Sequence, residues 1–257
     1  MYTIQNDYMD LEQIAQSGQC FRWEKLDDNA YKVPMLDTSV EVKQNKNEFT
    51  FYCDEDEFNK IWRHYLDLDT DYAKIIEKIA DDDKFLKDAA SYGRGIRILN
   101  QNLWEIMVSF VISQNNNIPR ITKSLNMLCE KFSQFPQSAA LFSLKKEDLA
   151  GLGLGYRDEY IINLACYYNE SEDVSGKLFS LGYEDAMKEL MSIKGIGKKV
   201  ANCICLFGLH RLEACPIDTW MKKIIDEDYN GTMPLWMKDK WAGVYQQYVF
   251  YYKRMNK

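Results

Sequence analysis

LMSIKGIGKKVANCICLFGLHRLEACPID, residues 190–218, is the stretch from which the rest of the chain is read. Leu190, Ile193, Ile196 and Val200 are apolar at spacings of three and four, which predicts helix on both sides of Lys194-Gly195-Ile196-Gly197. Two glycines around one apolar residue predict a tight hairpin with both glycines at positive φ. Such a turn, opening directly into a helix, aims successive backbone N–H groups outward and suits an anion such as a phosphate. Between Met191 and Leu212 stand four basic residues, Lys194, Lys198, Lys199 and Arg211, and no acidic one. A lone GxG is most often an ordinary helical turn with surface lysines, so its surroundings decide its meaning. A lysine in the first turn of a helix is, when neutral, a nucleophile toward electrophilic carbon. Asp218, further along the same stretch, is a carboxylate able to accept a proton or stabilise a developing cation.

The run GIGKKVANCIC followed by CPID resembles the helix-hairpin-helix and Gly/Pro…Asp signature of base-excision DNA glycosylases. Within that superfamily it resembles the 8-oxoguanine DNA glycosylases, which carry a lysine two residues after the second hairpin glycine, then Val-Ala-x-Cys, and later Pro-Val-Asp. Here those positions are Lys199, Val200-Ala201-Asn202-Cys203 and Pro216-Ile217-Asp218. Two departures stand out: Lys194 replaces a proline common in such hairpins, and Trp220 occupies a place where many relatives have histidine.

The composition is that of a globular protein, 46% hydrophobic and 14% aromatic over 257 residues, enough for two or three subdomains. The start, MYTIQNDYMDLEQ, has neither a basic region nor an apolar run, so no signal peptide is expected. No apolar stretch reaches membrane-spanning length. Seven cysteines, an odd number at irregular spacing, predict reduced thiols and an intracellular protein. No metal site or cofactor is expected, and no cysteine follows Cys215 to build the four-cysteine iron–sulfur cluster of some superfamily members. The net charge of −7 argues against nucleic acid at first sight, but residues 54–88 hold twelve acids and six bases and account for nearly all of it. Local phosphate contacts, not global charge, are what a lesion enzyme needs.

Along the chain, Thr38–Lys43 and Phe49–Cys53 alternate or favour strand, with Asn45-Lys46-Asn47 as a turn; Cys20–Glu24 and Tyr31–Val33 read as two more strands around Asp27-Asp28-Asn29. Residues 54–88 read as helix with a solvated acidic face and no chemistry. From Asp71 onward the chain reads as almost wholly helical, ending in an amphipathic helix over Trp236–Lys257. The expected fold is α+β: a small N-terminal antiparallel β-sheet domain over 1–70, followed by a mainly α-helical glycosylase core over 71–257 with the helix-hairpin-helix motif and a DNA cleft between two helical subdomains.

The resemblance runs from about Gly18 to Phe250 and implies a role for each matching position. SGQCFRW at 17–23 matches its N-terminal GQ-x-FRW hallmark, implying that the Gly18 carbonyl accepts the N7 proton that distinguishes 8-oxoguanine from guanine. Cys203 lies one turn after Lys199, on the same face. With Phe250 it is implied to sandwich the flipped base, and Gln246 to read its pairing edge. SFVISQNNNIPR at 109–120 implies Asn115 and Arg120 as contacts to the opposite base; LGLGYR at 152–157 implies Tyr156 as the wedge and Arg157 as a further opposite-base contact. Gly195, Gly197 and Lys198 are implied to hold phosphate. Lys199 and Asp218 are implied to be catalytic, with Lys198 the rival nucleophile about 100° around the helix. The implied partner is double-stranded DNA containing oxidised guanine, and the chain is expected to act as a monomer. Two other readings are an alkylated-base glycosylase, which keeps the aspartate but lacks the lysine, and a DNA-binding module without catalysis.

Overall fold

The N-terminal region is built on alternation. The structure, a computed structural model, describes residues 1–170 and 172–256. Five strands, β1 (Tyr2–Gln5), β2 (Glu24–Asp27), β3 (Ala30–Met35), β4 (Thr38–Asn45) and β5 (Glu48–Phe51), form one sheet in the order β1-β5-β4-β3-β2. β5 pairs antiparallel with β1 through Phe49 and Ile4, and with β4 through Phe51 and Val42. Val40, Val42, Phe49 and Phe51 are buried, so alternate residues face the core. Cys20–Trp23 is not a strand. The chain there is irregular because Gln19 is fully buried and uses its side chain instead of a ladder: its amide nitrogen donates to the Arg97 carbonyl at 2.8 Å and its oxygen accepts from Leu99 N at 2.9 Å. Strand pairing starts only at Glu24.

The acid-rich segment that follows is helical but broken. Asp54, Asp71 and Asp83 each cap a separate helix by accepting from a backbone N–H three residues on, so several of these acids terminate helices rather than coat one solvated face. A π-helical turn over Phe58–Trp62 buries both of its end residues.

Two compact units emerge from the contacts. Unit 1 contains Met1–Pro34, Ser39–Asn100 and the C-terminal segment from His210; unit 2 contains Met35–Thr38 and Gln101–Leu209. Within unit 1 the Lys84–Tyr92 and Ala242–Met255 helices pack through Phe85 and Tyr252 and through Tyr92 and Tyr251. The last helix starts at Ala242, after a 3₁₀ turn at Leu235–Lys238, and is buried at every position from Ala242 to Val249, so its first half is not amphipathic. Unit 2 is organised around the Leu103–Ile112 helix, which is buried at all ten positions. The Ile118–Phe132, Arg157–Asn169 and Lys198–Phe207 helices pack on it. Among the described residues no helix is long and apolar enough to cross a membrane.

Arg97 holds unit 1 together from inside. Nε donates to the Leu66 carbonyl at 3.0 Å, Nη1 to Tyr8 at 3.1 Å, and Nη2 to Thr70 at 2.8 Å and to Asp67. The guanidinium also lies 4.1 Å from the centre of the Tyr72 ring. Removing it strands several buried carbonyls, each costly to leave unpaired. Arg97→Met should therefore cost about 3 kcal/mol, roughly 6–12 °C in the thermal midpoint. A midpoint unchanged within experimental error would contradict this tethering role.

Candidate active site

In unit 2 the Tyr183–Ser192 helix ends at Ile193, the chain turns, and the Lys198–Phe207 helix begins with Gly197 as its N-cap. Gly195 has φ +101°, and a Cβ there would meet Tyr160 Cγ at 2.4 Å, so glycine is required twice over. Gly197 differs from expectation: its φ is −91°, extended backbone that any residue adopts, and the space around it is open. Lys194 is committed to Glu159, which also pairs with Lys146 at 2.8 Å; the two ammonium groups pull the Glu159 carboxyl down to about 2.

Lys198 points to solvent and Lys199 is half-buried. Lys199 Nζ sits 5.5 Å from the centre of the Phe110 ring, which stacks on Phe207 at 5.3 Å. Cys203 is buried one turn later on the same helix. Asn202, between them in sequence, is structural: it donates to the Lys198 carbonyl and accepts from the Tyr183 hydroxyl at 2.6 Å.

The asparagine run is a turn between helices, as its composition predicts. Asn115 is exposed with φ +47°, and Asn117 caps the Ile118–Phe132 helix by accepting from Arg120 N. Arg120 is exposed. Arg157, by contrast, is 8% exposed and turned inward. Its Nε donates to the Gln114 carbonyl at 2.8 Å, Nη1 to Leu154 at 2.9 Å and Nη2 to Asn115 at 3.0 Å. Most of its donors are thus spent on the protein's own loops. Tyr156 is half exposed and lies under the Arg157 guanidinium at 4.6 Å. Gln114, which no local sequence signal singles out, joins the parts: its side chain donates to the Gly195 carbonyl at 3.0 Å. A cavity of about 370 Å³ in this unit is lined by Asn115, Arg120, Lys123, Gly153 and Arg157, among others.

Unit 1 carries the remaining candidates. Asp218 caps the Thr219–Asp228 helix, with Oδ1 accepting from Met221 N at 2.9 Å. Gly18 has φ +83°, and a Cβ there would lie 3.3 Å from Phe250 Cε1, so Gly18 and Phe250 are brought together. Gln246, one turn before Phe250, is buried and its side-chain oxygen accepts from Gln247 at 3.0 Å. Trp220 is half-buried beside Lys223.

A glycine hairpin opening into a lysine-bearing helix, together with an aspartate that caps a later helix, defines the helix-hairpin-helix glycosylase class. Residues 108–233 match the profile of the HhH-GPD superfamily base excision DNA repair proteins, and residues 1–107 that of the 8-oxoguanine DNA glycosylase N-terminal domain. The N-glycosylase/DNA lyase of Saccharomyces cerevisiae is 34% identical, over 85% of this chain and 68% of its own length. The Arabidopsis thaliana N-glycosylase/DNA lyase is 27% identical over 81% of this chain, which spans 63% of that protein. The Clostridium acetobutylicum 8-oxoguanine glycosylase/lyase, solved with double-stranded DNA containing cytosine opposite 8-oxoguanine, superposes with a TM-score of 0.90 at 30% identity, covering 100% of this chain and 98% of that one. The chain belongs to the 8-oxoguanine DNA glycosylase family.

Gly195→Ala should lose about 2–4 kcal/mol, combining strain at positive φ with overpacking against Tyr160. Adding Tyr160→Ala should recover part of the loss and not all of it, since the backbone strain remains. Full recovery in the double variant would show that sterics alone demand glycine here.

Proposed function

We infer that this chain is a bifunctional DNA glycosylase that extrudes 8-oxoguanine from duplex DNA, cleaves its N-glycosidic bond through a lysine Schiff base and nicks the abasic site by β-elimination. The observation that carries the reading is Lys199, a half-buried amine in the first helical turn after the hairpin, with Cys203 one turn beyond it. An alkylated-base glycosylase detaches the base with water and has no need of this lysine, and a binding module has no need of it either.

Each step follows from a residue. A base inside the duplex is out of reach, so it must be rotated out at a cost of a few kcal/mol. Tyr156, half exposed, is the side chain we assign to the gap. Asn115 and Arg120 present donors to an orphaned cytosine, whose free edge offers O2 and N3 as acceptors. Arg157 acts through them: by holding the Gln114 and Asn115 carbonyls it fixes the loop that Asn115 belongs to. The amides around Gly195 and Gly197, with Lys198, take the DNA phosphate, which positions the duplex without reading sequence.

For the lesion, the Gly18 carbonyl rewards the N7 proton and repels the N7 lone pair of guanine. Phe250 and Cys203 take the base faces, and Gln246 its pairing edge. As the C1′–N9 bond breaks, the base leaves with the electron pair and takes up a proton. The cation left at C1′ is stabilised by Asp218, whose Oδ1 is held by the helix cap, leaving Oδ2 for this work. Lys199 Nζ bonds to C1′ through its lone pair and gives up a proton, the C1′–O4′ bond breaks as O4′ takes up a proton and leaves an iminium, and loss of a 2′ proton expels the 3′ phosphate. We place the enzyme inside the cell, as a monomer acting on double-stranded DNA with oxidised guanine. The sheet-bearing 1–70 region then contributes Gly18, and the helical 71–257 region the remaining groups.

Lys199→Gln should abolish excision and borohydride trapping, while Lys198→Gln keeps most of both; the reverse pattern would assign the nucleophile to Lys198. Asp218→Asn retains a good N-cap, so it should fold and bind lesion DNA normally yet lose most catalysis. Affinity that falls in step with rate would remove Asp218 from the transition state.

A further inference from the structure

Arg254 stands one turn beyond Phe250 on the last helix and lies outside every motif that carries the family resemblance. Its guanidinium carbon is 5.9 Å from the centre of the Phe250 ring. Nη1 reaches 3.8 Å from the point where a side chain on Gly18 would begin. That nitrogen is buried and has no hydrogen-bond partner among the described residues. Burial holds the Arg254 pKa below the ordinary arginine value, and Tyr251 offsets this in part.

A buried guanidinium N–H with nothing to donate to is costly, and native structures rarely keep one without a use. Here the orphan donor sits beside the glycine whose missing side chain leaves room next to Phe250. Three observations therefore meet in one place: an unpaired cationic donor, an aromatic face, and a backbone position at φ +83° that only glycine holds without strain.

We propose that Arg254 donates from Nη1 to a carbonyl oxygen of the extruded base, O6 or O8, the acceptors that flank N7–H in 8-oxoguanine. The proposal rests on the reading of Gly18 given above. That edge of the lesion runs acceptor, donor, acceptor. The Gly18 carbonyl answers the donor, and the guanidinium beside it answers a neighbouring acceptor. Neither contact suffices alone. Guanine also offers O6 to an arginine, but its N7 lone pair still meets the Gly18 carbonyl. Arg254 is thus a specificity residue that strengthens lesion binding without relaxing the exclusion of the normal base.

Arg254→Met keeps length and apolar bulk and removes the donor. Single-turnover excision would be measured for wild type and variant on three bases opposite cytosine: 8-oxoguanine, 8-oxo-2-aminopurine, which lacks O6, and 8-thioguanine, which keeps N7–H but carries a weak acceptor at position 8. Cleavage at a preformed abasic site runs alongside. The variant should excise 8-oxoguanine roughly ten- to hundredfold more slowly, with abasic-site cleavage largely retained. One of the two analogues should be penalised in wild type and not in the variant, which names the oxygen contacted. Equal slowing on all three bases would reduce Arg254 to a support for Phe250 and overturn the proposal, as would no slowing on any. A wild-type protein that excises no 8-oxoguanine would overturn the proposed function itself, and this contact with it.

Discussion

The Arg157 guanidinium is the constraint on which unit 2 depends. Charge-assisted bonds to the carbonyls of Leu154, Gln114 and Asn115 close the LGLGYR turn onto the asparagine turn. The Gln114 side chain then extends the connection to the Gly195 carbonyl, so the hairpin is tied to the same point. Three loops from distant parts of the sequence become one block. Only a planar fork of several donors serves three carbonyls in this way; a lysine ammonium, strongly hydrated and on a flexible stem, would not. Loops carry function where rigid elements hold them, and here a buried side chain does the holding.

Unit 1 solves a different problem, that of making room. Gly18 leaves out a side chain beside Phe250, and Gln19, the next residue, fixes the backbone by bonding both to the Arg97 carbonyl and to Leu99 N. Arg97 in turn grips the carbonyls of Leu66, Asp67 and Thr70. Gly18 is thereby anchored through two buried polar residues whose bonds are all internal. A fully paired polar network of this kind specifies one arrangement, because each unpaired alternative costs desolvation.

Much of this was legible in the chain itself. The spacing of Leu190, Ile193, Ile196 and Val200 marked both helices of the hairpin, and alternation through Val40, Val42, Phe49 and Phe51 marked the sheet. What escaped was direction. Nothing in LGLGYR tells whether the arginine faces a partner or its own carbonyls, since burial is set by residues far away in sequence. Cys20–Trp23 has strand composition, yet Gln19 supplies an alternative to ladder bonds. The acids at 54, 71 and 83 read as solvated charge because a cap and a surface carboxylate look alike without the backbone around them. Gly197 matched a pattern of two special glycines, but only Gly195 meets a ring. The units are discontinuous for the same reason: His210 onward returns to the sheet-bearing unit through packing that no local signal announces.

Lys199 is the amine proposed to attack the sugar. The most direct measurement is borohydride reduction of the protein on a duplex with 8-oxoguanine opposite cytosine, followed by proteolysis and mass mapping of the peptide that carries the sugar adduct. A single adduct, on Lys199, is the expected outcome. An adduct on Lys198 or elsewhere, or excision of the base with no adduct at all, would contradict it.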